Sequence, residues 1–412
     1  LSAKLPIASR PEISKEQRVV YIFVIGFLLM IQTLVTDMYL PAFPNIAEFF
    51  KVPDAFVQYS LSAVTLGSSI GFFIAGPLSD SLGRKRPVLF AIGLFSFASF
   101  GMFLAPSIEM FVLLRFLQGL ASAAAAVIAQ AIIRDLFVGN AMLKMLGRVW
   151  LISGIAPIIS PLIAGQLLLV GDWRVIALTL GFLTATILLI ASRALVETLH
   201  VDDRRAKGFE GVNRRFIAVF KDRIILGLML IGMAQSIALF AYLNNLPFLY
   251  QDSFGLTPVQ FSYALVVGSI FWFTGIQVGA KLGRIFKAQW VVLAALTLAM
   301  LAGVALFLVG ISGGGLWSVI PIVSVFIFSF GACITPTQTI ALQGHGAEAG
   351  TAASVLGVMT GLTASLAAPL YPLIGSENST NLGFAIALTH LIAIVVFFAV
   401  LRPRSVPDLV KE

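Results

Sequence analysis

Long apolar runs separated by short polar breaks recur along the whole chain. They predict membrane spans over 19–43, 58–79, 87–105, 110–133, 146–170, 175–195, 224–250, 259–281, 289–310, 316–340, 351–374 and 382–401. Each is long enough for a helix that crosses a bilayer in roughly 20 residues. The end of span 1 stays open, because Pro41 and Pro44 either stop the helix or kink one that continues toward Phe50. The longest polar stretch runs from Arg193 to Arg223 and includes Asp202, Asp203, Arg204, Arg205, Lys207, Arg214 and Arg215. It divides the spans six and six. The expected organisation is a cytoplasmic tail over 1–18, a six-helix bundle over 19–195, a cytoplasmic loop over 196–223, a second six-helix bundle over 224–402 and a tail over 403–412.

The halves echo each other. Leu40-Pro41 in span 1 returns as Leu246-Pro247 in span 7, and Leu82-Gly83-Arg84 after span 2 as Leu282-Gly283-Arg284 after span 8. Pro161-Leu162-Ile163-Ala164-Gly165 in span 5 returns as Pro372-Leu373-Ile374-Gly375 in span 11. Such matches in corresponding spans argue for parallel six-helix repeats, an arrangement of transporters whose site lies at the repeat interface near mid-membrane.

Composition agrees: 59% of the 412 residues are hydrophobic and 11% charged, against about 25% charged in soluble proteins. An ordinary water-soluble protein is excluded, and the apolar content matches about twelve spans. A single cysteine, Cys333, excludes an intramolecular disulfide framework and a thiolate metal cluster. The histidines, His200, His345 and His390, never reach a ligand spacing, so no metal is expected. Residues 1–18 lack the pattern of a signal peptide, and the first span is expected to serve as the insertion signal.

Of the 27 Lys and Arg residues, 24 fall in the tails and alternate loops on one side, whereas Lys51 and Arg174 stand on the other. The positive-inside rule then puts both termini in the cytoplasm. The basic balance follows from topology, and no basic aromatic module for nucleic acid is present.

Asp37 is the one acidic residue well inside a predicted apolar span, and Arg115 is the one base. Each charge costs roughly 2.5–3.5 kcal/mol at mid-membrane on insertion scales, so a partner, water or a function is called for. Counting along spans 1 and 4 puts Asp37 roughly 27 Å up its helix and Arg115 roughly 8 Å below the outer end, at similar depth. They are within range to pair, directly or through water. A neighbouring guanidinium lowers a carboxylate pKa and desolvation raises it, so a site of changing wetness binds and releases a proton. The competing readings are a solvated helix-end Asp37 beyond the membrane and a structural Arg115 satisfied by backbone carbonyls and Gln118.

For substrate contacts, Tyr39 flanks Asp37, and Asn244 and Asn245 hold the corresponding place in span 7. Drug pockets have apolar, largely aromatic walls with a few polar groups, which adds Phe240, Tyr263, Trp272 and Gln338 as candidates.

The run Gly76-Pro77-Leu78-Ser79-Asp80-Ser81-Leu82-Gly83-Arg84-Lys85 resembles the major facilitator signature G-x-L-x-D-R-x-G-R-[KR], with Ser81 in place of the arginine. The resemblance implies that Asp80 meets the start of span 11 near Thr351 and that Arg84 pairs with Asp135. With Gly83 and Lys85, these residues would latch the cytoplasmic side shut. Gly154, Pro157, Pro161 and Gly165 in span 5 resemble the G-P-x-x-G-G motif of proton-coupled drug exporters, with Ser160 and Ala164 replacing glycines. The residues remain small enough for close packing and for a proline hinge. Arg115-x-x-Gln118-Gly119 resembles the exporters' R-x-x-Q-G pattern, which implies a part in proton transfer for Arg115.

Thr36-Asp37-Met38-Tyr39-Leu40-Pro41, Ile133-Arg134-Asp135-Leu136-Phe137 and Ala341-Leu342-Gln343-Gly344 resemble the bicyclomycin-resistance and chloramphenicol-efflux branch of that superfamily. The resemblance implies an all-α membrane protein of two pseudo-symmetric six-helix bundles. It would be a monomer in the inner membrane of a bacterium that exports hydrophobic drugs, amphenicols among them, in exchange for protons, without a cofactor. An importer or uniporter of a small metabolite is the alternative within transport. An intramembrane enzyme would need two acids or a histidine cluster in the spans, and only Asp37 is there.

Overall fold

Inside a bilayer the backbone must satisfy its own hydrogen bonds, and helices do this within a single segment. The computed structural model describes residues 15–201, 204, 222–342, 359–366 and 378–406, and among them there is no strand. The principal helices are α1 (Lys15–Asp37), α2 (Phe43–Phe50), α3 (Asp54–Leu82), α4 (Lys85–Phe103), α5 (Ile108–Leu136), α6 (Gly139–Gly154) and α7 (Ala156–Val170). They continue with α8 (Arg174–Ala194), α9 (Arg223–Phe248), α10 (Pro258–Ile285), α11 (Ala288–Ile311), α12 (Leu316–Leu342) and α13 (Ser379–Val396).

Eleven segments among the described residues are long and apolar enough to cross a membrane, and they coincide with predicted spans 1–10 and 12. Of the eleventh span, 351–374, only 359–366 are described, and 359–365 are helical. Thr351 and the second half of the third echo, Pro372 to Gly375, lie outside the described residues. Span 1 is longer than its apolar core suggests: after α1 a 3-10 turn at Leu40–Ala42 leads into α2, and the apolar segment reaches Phe50. Span 5 is broken at Ile155, between α6 and α7, beside the proline cluster.

Helix starts follow local chemistry. Ser107 caps α5 through Met110 N, and Asp222 caps α9 through the amides of Ile224 and Ile225. Thr257 and Gln260 form a capping box on α10.

Packing repeats between the halves more faithfully than the sequence echoes do. Gly67 and Gly71 of α3 press on α5, where an added Cβ would strike the carbonyls of Phe116 and Leu120. Gly275 and Gly279 of α10 press on α12, where it would strike those of Phe328 and Ala332. In each half, two glycines four positions apart let one helix lie directly on another's backbone. Most helix packing falls within 15–201 or within 222–406, and the principal contact between these parts is α7 against α10.

Candidate functional site

Prolines in α7 build the seam between the two parts. Pro161 has no N–H to offer the Pro157 carbonyl one turn back, which frees that oxygen inside a helix. Ser269 of α10 donates to it at 2.9 Å. One turn further along, Gly165 rests against Ser262 and Val259 of α10, leaving no room for a side chain. The seam continues toward the end that carries Lys51 and Trp173: Gln251 Nε2 donates to the Pro41 carbonyl at 3.2 Å, and the Phe43 and Phe248 rings are 6.2 Å apart. Contacts described across the seam thus run from mid-helix to that end, away from the basic loops, and this end is closed.

Asp37 stands on the seam. It is the last residue of α1 and half-buried. Its carboxyl lies within hydrogen-bonding reach of Ser160 in α7 and close enough to Tyr242 in α9 to interact electrostatically. Ser160 Oγ itself donates to the Ala156 carbonyl at 2.6 Å. The apolar segment continues thirteen residues beyond Asp37, with Met38 to Phe43 buried. Asp37 therefore does not end the apolar segment, and the residues that follow it are packed inside the protein.

Arg115 is fully buried and forms no ion pair with Asp37 among the described residues. Nη1 donates to the Val35 carbonyl at 2.6 Å and to Gln118 Oε1 at 3.2 Å, and the guanidinium covers the Tyr39 ring at 4.3 Å. Gln118 passes the network on to Ser99 Oγ at 2.8 Å. Arg115 thereby grips the backbone of α1 two residues before Asp37. Its Nε and Nη2 have no hydrogen-bond partner among the described residues.

Substrate candidates scatter. Asn244 and Asn245 are buried in α9, with Asn244 Nδ2 donating to the Phe240 carbonyl at 2.8 Å and Phe240 half-buried one turn away. Trp272 is half-buried, its backbone against Gly331. Three candidates need correction as lining of a cavity beside Asp37. Tyr39 is wholly enclosed within its own half, edge-on to Phe111 at 6.0 Å with its hydroxyl toward Met102 Sδ at 3.7 Å. Tyr263 is 56% exposed on a membrane-spanning helix, so it faces outward. Gln338 is exposed near the end of α12 remote from the closed seam, roughly 33 Å along the helix from its start at Leu316.

The basic end carries a second polar cluster. Arg84 pairs with Asp135 at 2.9 Å and with Asp80 at 2.6 Å, and donates to Ser79 Oγ at 2.8 Å. Burial pulls the Arg84 pKa down, but the Asp135 and Asp80 carboxylates outweigh it and leave the guanidinium raised above its ordinary value. Glu197, which the sequence reading did not single out, accepts from the amides of Arg84 and Lys85 at 2.7 and 3.3 Å. Gly83 adopts φ +90, and a Cβ there would collide with Glu197 Oε2. Thr198 completes the cluster by donating to Asp135 at 3.2 Å. The only advance sign of Glu197 was an acid at the exit of span 6, facing three bases in the loop after span 2. The contact implied between Asp80 and the start of span 11 lies outside the described residues.

The family model of the Major Facilitator Superfamily matches residues 25–369. An uncharacterized transporter of that type from Bacillus subtilis is 32% identical over 94% of this chain and 97% of its own length. A bicyclomycin resistance protein homolog from Haemophilus influenzae is 24% identical over 92% and 95%. Among solved structures, a bacterial homolog to the human lysosomal transporter Spinster superposes with a TM-score of 0.77 at 15% identity, covering 95% of this chain and 98% of that one. That likeness concerns the fold alone.

Proposed function

The chain belongs to the major facilitator superfamily, a family of membrane transporters and not of enzymes, and from that premise we propose that it exports hydrophobic antibiotics in exchange for protons. Its relatives in drug resistance support a small-molecule drug as cargo. The bacterial inner membrane is the setting, with the basic end and both termini in the cytoplasm, a reading that the distribution of Lys and Arg supports. No cofactor is needed, because the proton gradient supplies the driving force.

The observation that carries this reading is the position of Asp37. Its carboxyl sits where α1, α7 and α9 converge, near Ser160 on one side of the seam and within electrostatic range of Tyr242 on the other. A proton bound there changes the charge at the place where the halves must part, so protonation biases one of two arrangements. Drug arriving from the cytoplasm competes with that proton. Arg115 holds the end of α1 and so positions Asp37; the buried amides Asn244 and Asn245 and the half-buried rings of Phe240 and Trp272 supply the C-terminal wall. The cluster of Asp80, Gly83, Arg84, Lys85 and Asp135 serves as the latch of the cytoplasmic side, and the break at Gly154 with Pro157, Pro161 and Gly165 as the hinge.

The test is uptake of chloramphenicol or bicyclomycin into inverted vesicles with an acidic lumen, comparing the wild type with Asp37→Asn and Arg115→Ala. Asp37→Asn is expected to lose gradient-driven uptake while retaining drug binding. Equal gradient-driven uptake by Asp37→Asn would overturn its coupling role.

A further inference from the structure

Two grooves on the outer flanks occupy equivalent places in the halves, and neither belongs to the seam. One, of about 290 Å³, lies among α3, α4 and α5 and is lined by Leu78, Leu82, Phe90 and Leu94 with Arg86 at its mouth. The other, of about 710 Å³, lies among α10, α11 and α12 and is lined by Leu282, Phe286, Trp290 and Ala294 with Lys287 at its mouth. Leu82 and Leu282 belong to the repeated Leu-Gly-Arg triplets, and Phe90 and Trp290 follow at the same spacing. Both grooves therefore sit at the basic end.

Their chemistry is that of a lipid seat. The walls are almost wholly apolar and open sideways, with Phe90 72% and Phe286 58% exposed. The floor of each is sealed from the seam by glycine-mediated helix contacts: Gly71 and Leu120, which touch, both line the first, and Phe328 and Ala332, which receive Gly275 and Gly279, line the second. A transported drug would need a way through that floor. At each mouth stands one exposed cation at the start of a helix, Arg86 in α4 and Lys287 before α11. Apolar walls below an exposed cation at the level of the headgroups complement an anionic lipid, the tail in the groove and the phosphate on the cation.

We propose that the two grooves are paired binding sites for an anionic phospholipid of the leaflet at the basic end, with its phosphate on Arg86 in one and on Lys287 in the other. The lipid bridges the helices on either side of each turn, α3 to α4 and α10 to α11, so its binding steadies that turn from outside.

The experiment uses the full chain purified in dodecyl maltoside. Dioleoyl phosphatidylglycerol or dioleoyl phosphatidylcholine is added in mixed micelles, and bound lipids are counted by native mass spectrometry alongside thermal melting. Phosphatidylglycerol is expected to give two retained lipids and the larger rise in melting temperature. Arg86→Gln and Lys287→Gln are each expected to weaken binding about fivefold, the share one basic residue contributes beside an anionic headgroup. The double variant should show both sites weakened about fivefold. Ala294→Trp, which fills the larger groove and leaves the charge in place, should remove one. Lys144→Gln with Arg148→Gln, exposed cations elsewhere on the same side, should change nothing. Equal retention of the two lipids, or unchanged phosphatidylglycerol binding in the double variant, would overturn the proposal. A melting shift of the same size with inorganic phosphate would overturn the acyl-chain half of it.

Discussion

Tyr39 and Arg115 show what a charge in an apolar run reveals and what it hides. That Asp37 and Arg115 are candidates was legible in the sequence, because a lone charge among apolar residues stands out. That they do not pair was not legible, since pairing depends on which way two helices turn their faces. Arg115 instead takes the carbonyl of Val35 and the face of Tyr39, the residue whose place beside Asp37 makes it a candidate drug contact. Two expectations follow from its geometry. Tyr39→Phe keeps the ring under the guanidinium and gives up only a weak contact with sulfur, so drug affinity and transport should stay within about twofold, as expected where a lost interaction is worth under about 0.5 kcal/mol. Arg115→Lys keeps the charge, but one ammonium cannot reproduce the planar fork that spans Val35, Gln118 and the ring. It should lower stability by about 2 kcal/mol, the scale of a hydrogen bond to a charged group. Melting in detergent checks the second expectation; a melting temperature as high as the wild type's would show that the network holds nothing in place.

At the scale of the element, hydropathy found the spans because lipid contact leaves a long signal, and it left the end of span 1 open because Pro41 and Pro44 are compatible with either a stop or a kink. The chain passes them through a buried 3-10 turn and goes on. The glycine pairs of α3 and α10 were readable as a repeated small-x-x-x-small spacing, but only packing shows which helix each meets. Ser269 left no signal at all, since its role exists only where Pro161 frees a carbonyl on another helix. Ser269→Ala should therefore weaken the closed seam by about 1 kcal/mol, the net worth of a hydrogen bond, and shift the population toward opening at this end about fivefold. Ser262, buried against Gly165, reports this when changed to cysteine in a Cys333→Ser background: its labelling by an impermeant maleimide should speed up in Ser269→Ala, and an unchanged rate would assign the hydrogen bond no part in gating. In the loop after α3, Gly83→Ala must both hold φ +90 and displace the Glu197 carboxyl. Such backbone strain costs about 1–3 kcal/mol, and the variant should release Glu197 and loosen the latch. Gly83→Ala melting at the wild-type temperature would mean the loop relaxes without that carboxylate.

On the scale of the whole molecule, closure at one end and the seam-borne carboxyl of Asp37 together constrain the energetics of the proposed exchange. Described contacts join the halves between mid-helix and the end away from the basic loops, so in the alternating cycle proposed above the next step parts α7 from α10 and joins the halves elsewhere. Asp37 is the acid placed to sense that movement, because its neighbours Ser160 and Tyr242 belong to opposite sides of the seam. Under the coupling proposed above, one such group carries one proton per cycle. Exporting a neutral drug against one entering proton then moves one net charge inward, and the membrane potential contributes about 2.3 kcal/mol per 100 mV. At about 1.4 kcal/mol per tenfold, that corresponds to roughly a 50-fold gain in the attainable drug gradient. A drug bearing one positive charge cancels the proton's charge, and its exchange should not respond to potential. Proteoliposomes with a potassium–valinomycin potential separate the cases: neutral chloramphenicol should follow both potential and pH gradient, and a monovalent cationic drug the pH gradient alone. Neutral-drug transport indifferent to potential, yet still dependent on the pH gradient, would mean that a second charge moves with the proton and that Asp37 is not the sole coupling group.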